Sequence, residues 1–586
     1  MIERFEALDA HDPRLAAGAT GVLAQFNTAG VLTAADVHVA ARTCALAGES
    51  DDAVALAVAL AVRAVRHGSV CVDLAELVAD DPDLPWPAGL DLDRVAASPL
   101  AAASVVRVEG HLLYLDRYWR EEGQVRDDLV ARAAAAPPVV DAAALEAGAA
   151  RLFPAGFEEQ RAAAVAAAGQ ATTVLTGGPG TGKTTAVAGL LALLAADAER
   201  DGRRLRVALT APTGKAAARL QQSVEEAQRA DRFTDADRAA LAGLTASTLH
   251  RLLGWVPDSR TRFKHHRGNR LPHDVVVVDE TSMVSLTMMA RLLEAVRPDA
   301  RLVLVGDPDQ LASVEAGAVL ADLVAGLADH APGAVQALRT GHRFGARIGA
   351  LATALRDGDA DTVLDLLAAG GDDVRLLDPD DAGDAALLRA ELRDHALAIH
   401  SAASRGEVEA ALAAVDRHRL LCAHRDGPYG VTHWNLEVER LLADALGRGI
   451  GRAGGGEWYA GRPLLVTAND YGLGLFNGDT GVTVAGDQLS AVIAGVGSHS
   501  RFAPSRLSDV ETMHAMTVHK SQGSQADEVT VVLPPEDSPL LTRELLYTAV
   551  TRAQSRLTIL GRPDAVRVAV ERRALRASGL RARFSG

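Results

Sequence analysis

The stretch TTVLTGGPGTGKTT, residues 172–185, decides the fold of this 586-residue chain. Its apolar start predicts a β-strand, its glycines predict a tight loop, and an Ala/Leu-rich segment that predicts a helix begins at once. A GxxxxGKT motif between a strand and a helix is typical of a phosphate-binding P-loop. Loop N–H groups and the helix N-terminus would surround phosphate oxygens. An ordinary turn would explain the glycines but not Lys-Thr at this offset.

Each residue of this loop has an expected role. We expect the Lys183 amine to reach the β- and γ-phosphates of ATP and the Thr184 hydroxyl to bind Mg²⁺. The residues expected to contact the nucleotide are Gly177, Gly178, Pro179, Gly180, Thr181, Gly182, Lys183, Thr184 and Thr185. The sequence therefore predicts ATP and Mg²⁺ as cofactors.

Polar residues around the P-loop predict the rest of an ATPase site. Asp279 and Glu280 follow the apolar run VVVV, where one carboxylate can hold Mg²⁺ through water and the next can act as the base. Acidic residues also end ordinary strands, but this pair lies downstream of a P-loop. Gln310, in GDPDQL, would sense the γ-phosphate, with a simple N-cap turn as the alternative. Gln160, one helix before the P-loop strand, is a candidate for reading adenine through its amide group.

Hydrolysis at such a site needs positive charge on the transferred phosphoryl group. Arg343, in LRTGHRF, and Arg552, in RELLYTAVTRA, are the candidates for this role, although a single arginine is usually a surface residue. Both lie in the second half of the chain. If they reach across to the P-loop, ATP lies between two lobes and hydrolysis changes the spacing of the lobes, as in a motor.

The remaining motifs are rich in small polar side chains. Such side chains can bond a sugar-phosphate backbone without reading bases. The net charge of −16 argues against binding nucleic acid through the overall field, so a DNA contact would be a local channel. Two basic stretches, 260–270 and 567–583, are either solvated faces or phosphate contacts. The expected DNA-binding residues are Pro212, Thr213, Lys215, Thr248, His250, Asn469, Asn477, Thr517, His519, Ser521 and Gln522.

The length and the segment pattern predict several domains. Residues 1–130 are expected to be mostly helical, 131–150 a linker, 151–330 a first α/β lobe, and 331–586 a second lobe with a small β-rich insertion at 461–510. The strands predicted for the two lobes are 172–177, 206–211, 274–279 and 301–306, then 420–425, 528–533 and 556–560.

Nothing in the sequence predicts export or a membrane span. The start is charged and lacks a signal-peptide apolar region, so we expect a cytoplasmic protein. The cysteines, Cys44, Cys71 and Cys422, are odd in number and widely separated, which favours buried free thiols over disulfides or a zinc site.

The motifs together resemble the RecD branch of the superfamily-one DNA helicases. Across residues 157–562 the motifs GGPGTGKTT, APTGKAAARL, TLHRLLG, DETSMV, GDPDQLASVEAG, HRF, NGDTG, MTVHKSQGSQ and LYTAVTRA occur in the order of that family. The resemblance implies two tandem RecA-like P-loop lobes, a hairpin element near 254–273, an SH3-like insertion in the second lobe, and 5′-to-3′ translocation on single-stranded DNA. One departure is Gln525, where the family usually has a glutamate that bonds the ribose; we expect Gln525 to contact ATP as an amide.

Three stretches narrow the resemblance to the RecD subunits of RecBCD-type helicase-nucleases, also called exodeoxyribonuclease V. They are HGSVCVDLAEL (67–77), LYLDRYWREE (113–122) and CAHRDGPYGVTHWN (422–435). This resemblance implies RecB-like and RecC-like partners in a heterotrimer, a partner-docking role for residues 1–130, DNA ends as substrates, and a nuclease centre on a partner chain. The alternatives are a stand-alone or relaxase-associated helicase, and a structural subunit with an inactive ATPase site.

Overall fold

A computed structural model of the chain describes residues 2–256, 262–341, 345–451, 456–470, 472–495, 498–574 and 576–585. Within these ranges, no helix combines the length and the apolar character that crossing a bilayer requires. Cys44, Cys71 and Cys422 are buried free thiols, as the sequence predicts.

The N-terminal part of the chain consists of helices packed on a small antiparallel sheet. Its strands lie in the order β1-β3-β2. The apolar run 53–62 lies in the buried helix α3, whose N-terminus is capped by the Asp51 carboxylate. Residues 111–122 contain the junction of β3 and α7. The elements are α1 (Gly21–Thr28), α2 (Ala34–Ala47), α3 (Asp52–Arg66), β1 (Cys71–Asp73), α4 (Leu74–Asp80), α5 (Leu92–Ala96), α6 (Pro99–Ala102), β2 (Val106–Glu109), β3 (Leu112–Leu115) and α7 (Asp116–Ala134).

A parallel sheet follows, with strand order β6-β5-β7-β8-β4-β9 in the described residues. Its central strands are continuous apolar runs because helices cover both faces. Its elements are α8 (Ala142–Leu152), α9 (Glu158–Ala168), β4 (Thr172–Gly177), α10 (Lys183–Arg200), β5 (Val207–Ala211), α11 (Gly214–Gln228), α12 (Asp235–Leu241), β6 (Ala246–Thr248), α13 (Leu249–Leu253), β7 (Val275–Val278), α14 (Leu286–Ala295), β8 (Arg301–Gly306), α15 (Val319–His330) and β9 (Val335–Leu338).

A second parallel sheet and an antiparallel sheet make up the rest of the chain. The parallel sheet has the order β10-β19-β18-β11-β17, and the antiparallel sheet has the order β15-β14-β13-β12-β16. The elements are α16 (Ala346–Asp357), α17 (Ala360–Ala369), β10 (Val374–Leu377), α18 (Ala382–Ser404), α19 (Val408–Arg417), β11 (His418–Cys422), α20 (Val431–Leu446), β12 (Pro463–Val466), β13 (Thr480–Val484), β14 (Ser490–Gly495), β15 (Ser498–Phe502), β16 (Val510–Thr512), β17 (Ala515–Thr517), β18 (Ala526–Val532), α21 (Arg543–Val550), β19 (Ala553–Leu560), α22 (Pro563–Glu571) and α23 (Leu580–Ser585).

The α/β class, the two parallel sheets and the inserted antiparallel sheet agree with the sequence expectation. Two details differ from the expected boundaries. The first sheet continues past residue 330, because β9 pairs with β4. The segment 131–150 holds the end of α7 and most of α8 rather than an irregular linker throughout.

Candidate active site

The P-loop lies between β4 and α10, as the motif predicts. Gly180 and Gly182 have φ angles of 83° and 82°, in the left-handed region that favours glycine. A Cβ at Gly182 would also lie only 2.9 Å from the Gln160 amide nitrogen. The Lys183 amine donates to the carbonyls of Gly177 and Gly178 at 2.6 and 3.0 Å. The lysine is therefore held over the loop that the sequence assigns to phosphate.

Two carboxylates face this loop from the end of β7. Since β7 and β4 are parallel and flank β8, their carboxyl ends open at one edge of the sheet. Burial, with the charge of Glu280 next in effect, raises the pKa of Asp279. Glu280 has a φ of 50°, an unusual left-handed conformation for a residue with a side chain. Such local strain is typical of functional sites.

The second lobe contributes Arg552, from the turn between α21 and β19, to the same cleft. Its side chain is buried and donates to the Gln310 Oε1 atom at 2.9 Å and to the carbonyls of Thr548 and Ser524 at 3.0 and 3.3 Å. Burial lowers the pKa of this guanidinium. These three acceptors are neutral, while the charges of the Glu280 and Asp307 carboxylates oppose the effect of burial on the Arg552 pKa. The guanidinium can therefore bind an anion in the cleft.

Gln310 links the first lobe to Arg552 from the loop that follows β8. Its amide nitrogen donates to the Asp307 Oδ2 atom at 3.0 Å. The same carboxylate oxygen accepts from the Tyr547 hydroxyl of the second lobe, also at 3.0 Å. The Asp307 carboxylate and the Gln310 amide therefore both bond second-lobe side chains.

The cleft brings together most of the predicted nucleotide residues. It is lined by Pro179, Gly180, Gly182, Lys183, Thr184, Thr185, Asp279, Glu280, Gln310, Gln525 and Arg552, together with Arg219 and other residues of α11. Gly177 and Gly178 line a neighbouring cavity, and Thr181 is buried inside the loop, where its hydroxyl donates to the Gly178 carbonyl.

Three further residues complete the comparison with the sequence. Gln160 is buried beneath the loop and donates to the Thr181 carbonyl at 2.7 Å, so its expected contact with adenine stays a prediction. Arg343 lies outside the described residues. Arg219 was missed although it lies within the motif APTGKAAARL, because the contacts expected of that motif were with DNA and not with ATP.

The expected DNA-binding residues are divided between surface and interior positions. Thr213 and Thr248 cap α11 and α13 through their hydroxyl groups, as expected of threonines at strand ends. Ser521 and Gln522 differ from the expectation because they are buried. The Ser521 hydroxyl donates to the Val518 carbonyl at 2.7 Å, and the Gln522 amide donates to the Leu311 carbonyl at 2.8 Å across the lobes.

Lys215, Asn469 and Asn477 lie near the place where the inserted sheet meets the first lobe. A Cβ at Gly214 would lie 2.9 Å from the Phe476 Cβ, so α11 begins against the insertion. Burial lowers the pKa of Lys215 to about 8 at this junction. In the insertion, the Asn477 N–H donates to the Asn469 side-chain oxygen at 2.9 Å. Pro212, His250, Thr517 and His519 retain some exposure.

The two basic stretches largely bind the protein itself. Arg267 forms an ion pair with Asp128 of α7 at 2.8 Å, while residues 257–261 lie outside the described part of the chain. Near the C-terminus, Arg576 donates to the Ser313 carbonyl, and Arg583 pairs with Glu122. Arg267 nevertheless stays exposed, as a solvated face would, and a phosphate contact of either stretch stays a prediction.

Comparisons with known proteins agree with this arrangement. The AAA domain family matches residues 160–316, and the UvrD-like helicase C-terminal domain matches residues 512–560. With the fold and the cleft, these matches define an ATP-dependent DNA helicase that binds ATP at its P-loop. The N-terminal domain of RecBCD enzyme subunit RecD matches residues 28–117, and RecD of Mycolicibacterium smegmatis is 59% identical over 94% of this chain and 98% of its own length. The chain belongs to the RecD family of RecBCD helicase motor subunits, which act in recombination and repair.

Two more distant relatives are also similar to this chain. RecD of Haemophilus influenzae is 33% identical over 72% of this chain and 71% of its own length. The ATP-dependent RecD2 DNA helicase of Deinococcus radiodurans is also 33% identical, over 81% of this chain but 59% of its own length.

Proposed function

We propose that this chain hydrolyses ATP between two RecA-like lobes to move 5′ to 3′ along single-stranded DNA, within a heterotrimer that contains RecB-like and RecC-like subunits. The observation that carries the proposal is Arg552. It is a buried cation from the second lobe whose hydrogen bonds to the described residues all go to neutral acceptors, and it lies in the cleft that holds Lys183 and Glu280. A triphosphate bound there would attract both lobes and draw them together.

Mg²⁺ fits the donor groups of this cleft. A magnesium ion usually takes one or two carboxylates, with water and phosphate oxygens completing its coordination. The Thr184 hydroxyl and the Asp279 carboxylate would hold it here, and both line the cleft. The described residues contain no cluster of three His, Cys, Asp or Glu side chains that would instead form an all-protein metal site. When bound, the ion would neutralise charge that develops on the phosphate oxygens.

The chain's own residues would divide the work of hydrolysis. Lys183 would exchange its loop carbonyls for β- and γ-phosphate oxygens, and Glu280 would accept a proton from the attacking water. Arg552 and, by the sequence expectation, Arg343 would stabilise charge on the transferred phosphoryl group. Loss of the γ-phosphate would weaken the attraction between the nucleotide and Arg552. Because Arg552 bonds Gln310, the resulting movement of Arg552 would reach the first lobe.

DNA would run across both lobes on the side of Thr213, Thr248 and Thr517. These residues carry small hydroxyl groups at strand and helix ends, which suit backbone contacts that ignore base identity. The five-stranded antiparallel sheet supports an SH3-like insertion beside this path. Phosphate contacts of this kind would make binding salt-dependent.

A RecBCD-type assembly is favoured over a stand-alone helicase by the N-terminal region. The RecD-specific N-terminal domain matches residues 28–117, whereas the RecD2 helicase of Deinococcus matches over little more than half of its own length. The presence of Lys183, Asp279, Glu280 and Arg552 in one cleft argues against a structural subunit with an inactive site. The partners of the RecD relatives are therefore proposed for this chain.

The test measures ATP hydrolysis by the full chain, alone and with its RecB-like and RecC-like partners, with and without single-stranded DNA. Unwinding of duplexes with 5′ or 3′ overhangs follows. We expect DNA-stimulated hydrolysis and a preference for 5′ overhangs, both lost in Lys183→Gln. DNA-independent turnover, or a preference for 3′ overhangs in the chain without its partners, would overturn the proposal.

A further inference from the structure

We infer that Arg219 of α11 is a third arginine for ATP, binding triphosphate oxygens from the first lobe while its bond to Gln525 ties the bound nucleotide to the second lobe. The inference rests on the proposed function and names a residue of the same cleft. Arg219 lines the cleft together with Lys183, Thr184 and Glu280. Arg219 would therefore lie beside a triphosphate bound to the P-loop.

The Arg219 side chain reaches across the boundary between the lobes. Its Nη2 atom donates to the Gln525 Oε1 atom at 2.6 Å, and its Nη1 atom donates to the Gly523 carbonyl at 3.4 Å. Gly523, which has a φ of 71°, lies in van der Waals range of Ala216 of α11, since a Cβ there would be 3.4 Å from the Ala216 Cβ. Arg219 therefore lies where the two lobes meet, and a change of lobe spacing would move its partners.

The charge of Arg219 is not neutralised by the partners it has. Both acceptors are neutral, and no ion pair of Arg219 is found in the described part of the chain, although its charge acts to lower the pKa of the Asp279 carboxyl in the same cleft. A glutamate at position 525 would have neutralised this guanidinium, whereas the neutral Gln525 amide does not. The field of Arg219 extends over the site, since it contributes to lowering the pKa of Arg552. An anion in the cleft would supply the missing negative charge.

The geometry of a guanidinium allows it to hold both groups at once. It carries five N–H donors in a planar fork, and the bonds to Gln525 and Gly523 use two of them. The remaining donors can bind phosphate oxygens, for which arginine is better suited than lysine. The Gln525 oxygen also receives the Gln554 amide at 3.4 Å, which anchors it within the second lobe. Arg219 would thus couple ATP binding to lobe position.

The test compares Arg219→Ala, Arg219→Lys and the matched control Arg229→Ala in the full chain with its partners. Arg229 ends the same helix but is exposed and lies outside the cleft. We expect Arg219→Ala to raise the KM for ATP and the Kd of a fluorescent ATP analogue roughly tenfold or more, as for a lost charged hydrogen bond. Arg219→Lys should recover part of the affinity, and Arg229→Ala should match the wild type.

A double-mutant cycle with Gln525→Ala tests the link between the lobes. If Arg219 works through Gln525, the double variant will lose less DNA stimulation of hydrolysis than the product of the two single-variant losses predicts. Unchanged ATP affinity in Arg219→Ala, or fully independent effects, would overturn the inference. Wild-type hydrolysis is measured first, so that failure of the proposed ATPase is distinguished from failure of Arg219 alone.

Discussion

Arg552 occupies an unusual position for a charged side chain. Burying a cation is costly unless neighbouring groups stabilise it, and here the stabilisation comes from the carbonyls of Thr548 and Ser524 and the Gln310 amide oxygen. These neutral groups hold the guanidinium in place without cancelling its charge. A buried lysine would lose charge more readily and could not bond several acceptors in one plane. The position therefore favours arginine and an anionic ligand.

Glu280→Gln is expected to separate ATP binding from ATP hydrolysis. The change keeps the size of the side chain and the strained backbone at φ 50° but removes the base. Turnover should fall by roughly 10²–10⁴-fold, the usual contribution of a general base. Binding of a fluorescent ATP analogue should stay within a few-fold of the wild type. Rapid-quench hydrolysis and equilibrium binding measure the two effects.

Glu226→Gln is the matched control for this prediction. Glu226 also lines the cleft, but it is an exposed side chain of α11 whose carboxylate accepts a hydrogen bond from the Gln222 amide, one turn away. We expect normal binding and turnover in this variant. If Glu280→Gln lost binding and turnover to the same extent, Glu280 would be a binding residue and not the base.

The sequence predicts part of this site and misses another part for identifiable reasons. Lys183, Asp279 and Gln310 could be placed in one cleft because strand ends of a parallel sheet meet at one edge. Arg219 was not assigned to ATP, because its motif was assigned to DNA and its bond to Gln525 becomes visible only when the second lobe is packed against α11. Gln522 looks like a polar surface residue in sequence, but its amide bonds the Leu311 carbonyl inside the molecule.

At the scale of elements, a strand made of apolar residues can be predicted accurately, whereas a strand with polar residues depends on bonding partners from other elements. Strands β4 and β8 coincide with the predicted 172–177 and 301–306, since apolar residues fill both. Strand β11 begins two residues before the predicted 420–425 and ends at Cys422. It begins with His418 and Arg419, which bond to other parts of the fold: the His418 ring bonds the Thr530 hydroxyl at 2.9 Å, and the Arg419 Nη2 atom donates to the Asp416 carboxylate at 2.5 Å. No sequence pattern reveals such partners.

Three histidines in or near the second parallel sheet predict a loss of stability in acid. Burial lowers the pKa of His395 to about 4 and that of His514 to about 3, and it places the pKa of His418 well below its usual range. The unfolded chain binds protons at these histidines below about pH 6.5, but the folded chain does not. Stability is therefore present at neutral pH and falls as the pH decreases from 6.5 towards 4.

His395→Gln should reduce this pH dependence. For His395 alone the expected loss at pH 5 is about 2 kcal/mol relative to neutral pH. Urea unfolding at pH 7.5 and pH 5.0 gives the loss for each protein, and it should be smaller in the variant by about that amount. His111, whose side chain is 76% exposed, provides the control His111→Gln. Equal losses in the wild type and His395→Gln would contradict the prediction.

At the scale of the whole molecule, the C-terminal segment joins three parts of the chain. After α22 of the second lobe, Arg576 donates to the Ser313 and Glu315 carbonyls of the first lobe. The chain then reaches the N-terminal region, where the buried Glu122 carboxylate accepts from Ser578, the Gly579 N–H and Arg583. Helix α23 packs on α15, and Phe584 joins the core beneath the first sheet.

This arrangement makes Gly579 the tightest point of the C-terminal segment. A Cβ at position 579 would lie 2.0 Å from the Tyr114 hydroxyl, and Tyr114 is itself buried against α7 and β1. The Tyr114 ring cannot move aside cheaply, because the Arg583 guanidinium lies 5.6 Å from its centre and is held by Glu122. Any side chain at position 579 must displace the segment instead.

Gly579→Ala should therefore release the C-terminal segment and destabilise the molecule by about 1–3 kcal/mol, as overpacking usually does. Hydrogen exchange of residues 576–585 should accelerate, and the thermal midpoint should fall. The control is Gly123→Ala on α7, where a Cβ meets nothing within 4 Å and a helical alanine is favoured. If the exchange of 576–585 were unchanged in Gly579→Ala, the segment would not hold the second lobe to the N-terminal region. If it accelerated, the loss of DNA-stimulated ATP hydrolysis in the same variant would measure how far lobe movement depends on this connection.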